Sequence, residues 1–201
     1  MIYGCIITYN DMPLIQQTIE SIVDKVDRII VIDGRYTDFP GHADISTDGT
    51  IEYLKSIDKV FLMYYKGREV DKRNCYLMQL AEGDTVINLD ADEVLIGELP
   101  PLTSEFGILD LHDGHSKHVQ KRATRLFKYH KNIEYRFVHY TLYRGNILLN
   151  KLSSIVDVNT TFENVTSCHI LHNWHMRDHA RQYQKSIYYK ALVRSESGFE
   201  K

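Results

Sequence analysis

The sequence predicts an α/β fold in which a mostly parallel central sheet is flanked by helices and is followed by an irregular second half of shorter strands and a C-terminal helix. Unbroken apolar runs of strand length recur through the first half of the chain, and segments with apolar residues at helical spacing separate them. From residue 106 onward the pattern changes to short alternating runs. Strands that are apolar on both sides indicate a parallel sheet covered by helices on both faces.

The first half alternates predicted strands and helices. The strands are apolar runs at residues 2–8, 28–33, 60–64 and 85–89. The first helix follows NDMP (10–13), which supplies a cap and an early proline. A second helix opens at TDGT (47–50), where Asp48 is the expected cap, and runs toward Lys55. A third helix is predicted over residues 71–82 and ends at Gly83.

The second half predicts shorter elements. Strands are expected at residues 106–111, 124–129, 135–143 and 167–171, and a closing helix at residues 177–193. No repeat or linker interrupts the chain, so we expect one domain over residues 1–201. The chain stops at SESGFEK (195–201) directly after a helical pattern. That abrupt end predicts a domain cut from a longer protein, with further domains as partners.

Composition excludes several classes of protein. Lys and Arg number 24 against 27 Asp and Glu, for a formal charge of -3, so no nucleic-acid-binding surface is predicted. The 3 cysteines form no CxxC pair, which favours a reducing compartment over a disulfide framework. We find neither an apolar run of membrane-span length nor a signal-peptide pattern at the start, and we expect a cytoplasmic protein with no membrane span.

Polar residues follow three of the predicted strands, at the edge where open parallel sheets bind ligands. They are TYN (8–10), DG (33–34) and DAD (90–92). The first strand–helix turn, TYNDMP, contains no glycine, so it lacks the backbone cradle for a pyrophosphate that hydride-transfer enzymes use. The charge of a diphosphate at this edge would have to be met in another way, and a divalent cation held by Asp90 and Asp92 would meet it. Mn²⁺ and Mg²⁺ prefer oxygen ligands and commonly share a carboxylate with substrate phosphates.

These motifs, in this order, resemble those of one enzyme family. IITYND (6–11), RIIVIDGRYTDFPGHADISTDGT (28–50) and KRNCYLMQLAEGDTVINLDADEVL (72–95) are similar to the nucleotide-binding half of a family 2 glycosyltransferase with the GT-A, Rossmann-like fold. RLFK (125–128) is similar to a later strand of that family. The resemblance implies a nucleotide-binding half at about residues 1–95 and, at about 96–201, a half that completes the acceptor and metal sites.

The resemblance also implies roles for individual residues. The uridine site would be lined by Thr8, Tyr9 and Asn10. Asp33 would meet the base or ribose, Arg73 would contact the nucleotide, and Asp90 would lie near ribose and metal. The principal metal ligand would be Asp92.

Judged from the residues alone, simpler roles stay open. Asp33 would merely cap a turn, Arg73 would pair with Glu69 or Asp71 at the surface, and the DAD carboxylates would lie in a solvated turn. The chain departs from the family pattern by an insertion at residues 35–46, so the role of that loop is open.

Four histidines near the C-terminal end form a second group of candidate metal ligands. His169, His172, His175 and His179 are spaced H-x2-H-x2-H-x3-H, which by chemistry alone indicates a zinc site. There is no HExxH motif or cysteine pair, so a zinc-dependent hydrolase is the minor alternative. The family resemblance instead implies a single C-terminal histidine on the metal of the Asp-x-Asp motif. His172 matches that position best, while hydrogen-bonded core or surface roles suit His169 and His179.

The catalytic base is the least determined feature. Similar family members have a His-Glu pair after the strand that corresponds to residues 135–138, whereas this chain has His139-Tyr140. Tyrosine, with an ordinary pKa near 10, is a poor base at neutral pH, so His139 is the candidate. A structural histidine at that position is an open alternative. So is a carboxylate base from elsewhere, such as Asp110, Asp113 or Asp157.

The sequence thus predicts a metal-dependent glycosyltransferase of the hexosyl- or deoxyhexosyltransferase class. It would move a sugar from a nucleotide diphosphate, with UDP favoured, to a glycan or glycoprotein acceptor hydroxyl. A non-catalytic nucleotide-sugar or glycan-binding module is the alternative. A sugar-nucleotide pyrophosphorylase would need a Gly-rich loop after the first strand, which is absent. The compact chain also resembles the N-terminal glycosyltransferase domain of a chlorella virus protein, which would work in host cytoplasm.

Overall fold

The computed structural model describes residues 1–116, 118–136, 142–149 and 160–197. Strands β1 to β12 are, in chain order, Ile2–Thr8, Arg28–Asp33, Val60–Tyr64, Thr85–Asp90, Glu93–Gly97, Phe106–Asp113, Val119–Lys128, Ile133–Tyr135, Leu142–Arg144, Ile147–Leu148, Phe162–Asn164 and Cys168–His172. Helices α1 to α4 are Leu14–Ile22, Thr50–Lys55, Glu69–Leu77 and His179–Ser197. A short 3₁₀ helix at Trp174–Met176 precedes α4.

A curled nine-stranded mixed sheet is the centre of the fold. Its order is β3-β2-β1-β4-β7-β6-β12-β5, with β11 paired to β6, and β10-β9-β8 form a separate small sheet. β3, β2, β1 and β4 are parallel, and β7 then runs antiparallel to both β4 and β6. The expected α/β fold with a mostly parallel central sheet, an irregular second half and a C-terminal helix is confirmed.

Apolar side chains on both faces explain why the first strands are unbroken hydrophobic runs. Along β1, Cys5 and Ile7 belong to one buried cluster and Ile6 to another. The second cluster includes α1 through Ile15 and Ile19, whereas the first includes α3. Because successive strand residues point to opposite faces, a strand with helices on both sides must be apolar throughout. The predicted bounds of the first three strands are confirmed.

Two helix predictions in the first half are wrong in detail. The cap expected from NDMP (10–13) is not formed, because the N-cap residue of α1 is Pro13 and no side chain caps the helix. Asp11 Oδ2 instead accepts hydrogen bonds from Thr8 Oγ1 and the Tyr9 N–H, each at 3.1 Å. The third helix ends at residue 77, well before Gly83. Asp84 accepts the Ala81 N–H at 2.8 Å and stabilises a turn there, and such a bond competes with continued helix.

The expected cap at Asp48 is close to what the structure shows. Gly49, with φ of +94°, is the N-cap residue of α2. Asp48 Oδ1 accepts the N–H of Thr50, the first residue of the helix, at 3.2 Å, and its Oδ2 accepts the Met12 N–H at 2.9 Å. The carboxylate therefore serves the start of α2 and also links it to the loop before α1.

The second half differs more from the sequence prediction. The single strand expected at residues 135–143 is wrong: Tyr135 lies opposite Leu142 in the antiparallel pair of β8 and β9, so these are two strands. β5, which follows the DAD turn, was not predicted, and it pairs antiparallel with β12. No helix in the described part of the chain is both long enough and apolar enough to cross a membrane.

Candidate functional site

The carboxyl ends of β1, β4 and β12 border one cavity of about 700 Å³. Four of the predicted site residues line it, namely Arg73, Asp90, Asp92 and His172. The opposite wall is α4 with the segment before it, which contributes Arg177, His179, Gln182, Tyr183, Lys185 and Tyr189. Strand ends and a C-terminal helix therefore enclose the place where the sequence predicted a ligand.

Asp92 lies in the turn between β4 and β5 and is only 2% exposed. Its backbone carbonyl accepts the Asn173 N–H at 2.8 Å, which ties the turn to the end of β12. Its Oδ2 lies 2.9 Å from Arg177 Nη1 and 3.3 Å from His172 Nε2. Burial alone would raise the pKa of Asp92, but Arg177 and His172 outweigh burial and hold the pKa below its ordinary value. The carboxylate is therefore charged at neutral pH.

Asp90, the last residue of β4, is held by an arginine. Arg73 Nη2 donates to Asp90 Oδ1 at 2.7 Å and to Glu69 Oε1 at 3.0 Å. Burial would raise the pKa of Asp90, but Arg73 and Arg125 hold it below its ordinary value. Arg73 thus pairs with Glu69, as one of the simpler alternatives had it, but the pair is buried and not at the surface. The same guanidinium also fixes a carboxylate at the cavity.

His172 ends β12 directly opposite Glu93, the first residue of β5. This register brings the imidazole to the DAD turn, because β5 begins one residue after Asp92. Burial lowers the pKa of His172, but the close contact and negative charge of Asp92 outweigh burial, so the pKa is raised. The predicted proximity of this histidine to the Asp-x-Asp motif is present in the structure.

Asp92 and His172 fit a divalent cation. Among the described residues, Asp92 Oδ2 is a buried oxygen that accepts no hydrogen bond of good geometry. Ligands at right angles on an octahedral ion, each about 2.0–2.1 Å from it, are about 3 Å apart, near the 3.3 Å between Oδ2 and Nε2. Within the described ranges no three His, Cys, Asp or Glu side chains form a ready metal cluster. A cation here would need further ligands, as Mg²⁺ sites that use substrate phosphates do.

The histidine run is spread over separate places. The ring of His169 contacts His112, with 4.5 Å between centroids, and that of His175 contacts His115 at 5.6 Å. His179 is exposed on the cavity wall. The spacing that suggested zinc therefore arises from strand, 3₁₀ helix and α-helix residues with different neighbours.

Three of the residues predicted for the nucleotide site contact the 35–46 insertion, namely Asp33, Tyr9 and Asn10. Asp33 is fully buried and accepts hydrogen bonds from the Ser46 backbone N–H at 3.0 Å and from its hydroxyl. Tyr9 donates its hydroxyl to the Ala43 carbonyl at 2.8 Å. Asn10, with φ of +51°, donates its backbone N–H to Ser46 Oγ. Thr8 is fully buried. Their contact with a nucleotide stays a prediction.

Lys72 is a functional candidate that the sequence prediction missed. It is fully buried, and its Nζ donates to the Thr8 carbonyl at 2.8 Å and the Gly34 carbonyl at 2.5 Å, over the ring of Tyr36. Burial lowers its pKa to about 7, against the opposing effect of Asp33. The ammonium ties the ends of β1 and β2 together. Its place beside Arg73 in the KRN motif was the available signal.

Three further charged features were also missed. Arg177 contacts Asp92, and both it and Lys185 approach Asp11 Oδ1, at 3.7 and 3.9 Å. Glu93 and Arg125 form an ion pair in which each side chain is 1% exposed. The only sequence signals were arginines inside motifs already noted, RLFK and the histidine run.

Of the four candidates for the catalytic base, the structure describes only Asp110 and Asp113. His139 and Asp157 lie outside the described residues, so His139 stays a prediction. Asp113, at the end of β6, accepts the Trp174 indole N–H at 3.1 Å and the backbone N–H groups of His115 and Ser116. Its described role is to hold that turn and Trp174. Neither Asp113 nor Asp110 is among the residues that line the cavity.

Comparisons with known proteins find structural likeness alone. No protein-family model matches the chain, and no curated protein sequence does. Solved structures with similarity include S. aureus TarS 1-349, at 19% identity and a TM-score of 0.44. The complexes of TarS 1-349 with UDP and with UDP-GlcNAc are each 20% identical, with TM-scores of 0.46 and 0.43.

These likenesses cover 60% of this chain and between 37% and 38% of the TarS 1-349 chains. This chain therefore corresponds to well under half of the length of those proteins. Identity this low and TM-scores below 0.5 support no inference about activity, and none of these comparisons bears on a chlorella virus origin, which stays a prediction.

Proposed function

We propose that the cavity binds a nucleotide diphosphate sugar, with UDP favoured, and that the chain is a metal-dependent glycosyltransferase. The observation that supports this most is the buried, charged Oδ2 of Asp92, which lies just after the carboxyl end of β4 and 3.3 Å from the imidazole of His172. Arg177 lies 2.9 Å from this oxygen and offsets the cost of burying its charge. Within the described residues the oxygen still accepts no hydrogen bond of good geometry, which leaves it able to bind a cation. A cation that also binds phosphate oxygens would link this carboxylate to the donor.

The proposed cation is Mn²⁺ or Mg²⁺, held by Asp92 and His172 with Asp90 beside them. When bound, it would supply positive charge to the diphosphate that leaves the sugar. Arg73 keeps Asp90 at the cavity by holding its Oδ1, while the Glu69 carboxylate holds Arg73 in turn. These contacts position the carboxylate before any ligand arrives, which is the arrangement that electrostatic catalysis requires.

The acceptor is proposed to enter past the exposed rim of the cavity. Trp174 and Tyr183 line the cavity and remain 42% and 69% exposed. Asp113 fixes the indole N–H of Trp174, so its ring is held while exposed. Amphipathic aromatic rings of this kind suit a glycan. His139 is the proposed catalytic base. We also propose that residues 1–201 form one domain and that the protein works in the cytoplasm.

Donor turnover tests the proposal against a non-catalytic binding module. Purified protein is incubated with UDP-, GDP- and dTDP-sugars, UDP-GlcNAc first, with Mn²⁺ or with EDTA, and released nucleotide is measured. We expect cation-dependent release of UDP from at least one UDP-sugar. Cation-dependent binding of UDP-sugars without turnover, with or without glycan acceptors, would favour the binding module. Equal turnover in EDTA would refute the metal-dependent reaction.

A matched pair of histidine variants tests the metal ligand. His172→Ala is expected to weaken Mn²⁺ binding about tenfold or more, because it removes the nitrogen beside Asp92 Oδ2. His179→Ala changes a histidine on the same cavity wall that is exposed to solvent, and its Mn²⁺ affinity should stay near that of wild type. Titration calorimetry measures both. Equal affinities in the two variants would return His172 to a structural role.

A further inference from the structure

Arg177 occupies the position of a cation at the candidate metal site. It lies between the 3₁₀ helix and α4, and its side chain is 11% exposed. Its Nη1 is 2.9 Å from Asp92 Oδ2, while Nη2 is 3.7 Å from Asp11 Oδ1. The guanidinium therefore neutralises the buried carboxylate that the proposed cation would use.

The same oxygen serves Arg177 and, in the proposed function, a divalent cation. An ion about 2.1 Å from Asp92 Oδ2 and a guanidinium nitrogen 2.9 Å from it would be at most about 5 Å apart. Like charges at that distance repel, and they repel more strongly beside a buried carboxylate such as Asp92 than in open water. A cation entering the site must therefore displace Arg177 or bind against its charge.

A displaced Arg177 would still belong to the cavity wall. Lys185, also on that wall, lies 3.9 Å from Asp11 Oδ1, so two basic side chains approach the same carboxylate oxygen. A nucleotide diphosphate brings further negative charge into this space, and guanidinium groups bind phosphate oxygens through paired N–H donors. A ligand that carries a cation and a diphosphate together would supply both a replacement for Arg177 at Asp92 and a new partner for it.

We propose that Arg177 is an exchange residue: it substitutes for the divalent cation at Asp92 in the unliganded protein and transfers to the diphosphate when cation and nucleotide bind together. The exchange rests on the proposed function. Because Arg177 competes for Asp92, the cation alone binds weakly. Cation and nucleotide then favour each other's binding, since the nucleotide provides a new partner for the displaced Arg177 and the cation replaces Arg177 at Asp92.

The test compares Mn²⁺ affinity without nucleotide in wild type and Arg177→Met, which removes the charge and keeps an unbranched apolar side chain. Arg177→Met is expected to bind Mn²⁺ about tenfold more tightly, because no guanidinium competes for Asp92. With Mn²⁺ present, its UDP affinity is expected to fall by a similar factor. The gain in Mn²⁺ affinity that UDP confers should be larger in wild type than in the variant.

Two further variants isolate the effect of charge at Asp92. Lys185→Met removes a basic side chain from the same wall that contacts Asp11 and acts on Asp92 only through its charge at a distance. Its Mn²⁺ affinity without nucleotide should therefore rise by less than about threefold, well below the gain in Arg177→Met. Arg177→Lys keeps the competing charge and should show no gain. Equal Mn²⁺ affinity in wild type and Arg177→Met would overturn the exchange, as would an equally large gain in Lys185→Met or a gain of that size in Arg177→Lys.

The outcomes separate the exchange from the proposed function. If wild type binds UDP in a Mn²⁺-dependent way but Arg177→Met gains no Mn²⁺ affinity, the exchange is wrong and the metal site stands. If wild type binds no UDP with Mn²⁺, the proposed function is wrong. The nucleotide-free Mn²⁺ titrations then still decide whether Arg177 competes with a cation for Asp92.

Discussion

Asp92→Asn is expected to lower the affinity for UDP in the presence of Mn²⁺ by about 100-fold or more, and to make the remaining affinity insensitive to EDTA. The substitution keeps the shape of the side chain but removes the charge of the buried oxygen beside His172. Loss of a charge-assisted contact costs about 1.5–3 kcal/mol, and here the ion that would bridge to the diphosphate is lost as well. Titration calorimetry of UDP with Mn²⁺ and with EDTA measures the effect.

The matched control is Asp58→Asn, the same chemical change at an exposed position. It should leave UDP affinity and its cation dependence unchanged. Asp92→Asn also leaves Arg177 beside a neutral amide, so thermal unfolding of each variant has to accompany the titration. A folded Asp92→Asn protein that binds UDP with wild-type affinity in Mn²⁺ would contradict the metal site.

The first half of the fold was predictable because its strands are buried on both faces. Each residue from Cys5 to Ile7 packs into one of two cores, so the sequence there is apolar without interruption. β5 carried no such signal, since it opens with a charged residue whose burial depends on Arg125, far along the chain. The local pattern of apolar and polar residues does not predict an ion pair between residues 93 and 125.

The candidate site likewise has parts that the sequence predicted and parts that it did not. The approach of His172 to Asp92 was expected from the family resemblance, and the pairing of β12 with β5 produces it. Arg177 and Lys72 were missed because each acts through atoms distant in sequence, Lys72 through the carbonyls of residues 8 and 34. The contact of the 35–46 insertion with Asp33 depends on hydrogen bonds from Ser46, and the spacing of residues in the sequence does not predict such bonds.

The buried ion pair of Glu93 and Arg125 stabilises the turn that carries Asp90 and Asp92. Both side chains are 1% exposed, and Glu93 Oε2 also accepts the Asp90 backbone N–H at 2.8 Å. Burial raises the pKa of Glu93 in spite of the opposing charge of Arg125. The arginine thus neutralises a carboxylate that helps to hold the DAD turn in place.

Arg125→Met is therefore expected to lower the free energy of unfolding by about 3–5 kcal/mol, because it leaves Glu93 as an uncompensated buried charge. At this chain length that corresponds to a fall in Tm of roughly 10 °C, measured by calorimetry. Arg28→Met, at an exposed position, should change stability by no more than about 0.5 kcal/mol. The double variant Glu93→Gln with Arg125→Met should recover part of the loss, because no buried charge is left unpaired. A double variant that loses as much as the two single variants together would show that the pair does not act as a unit.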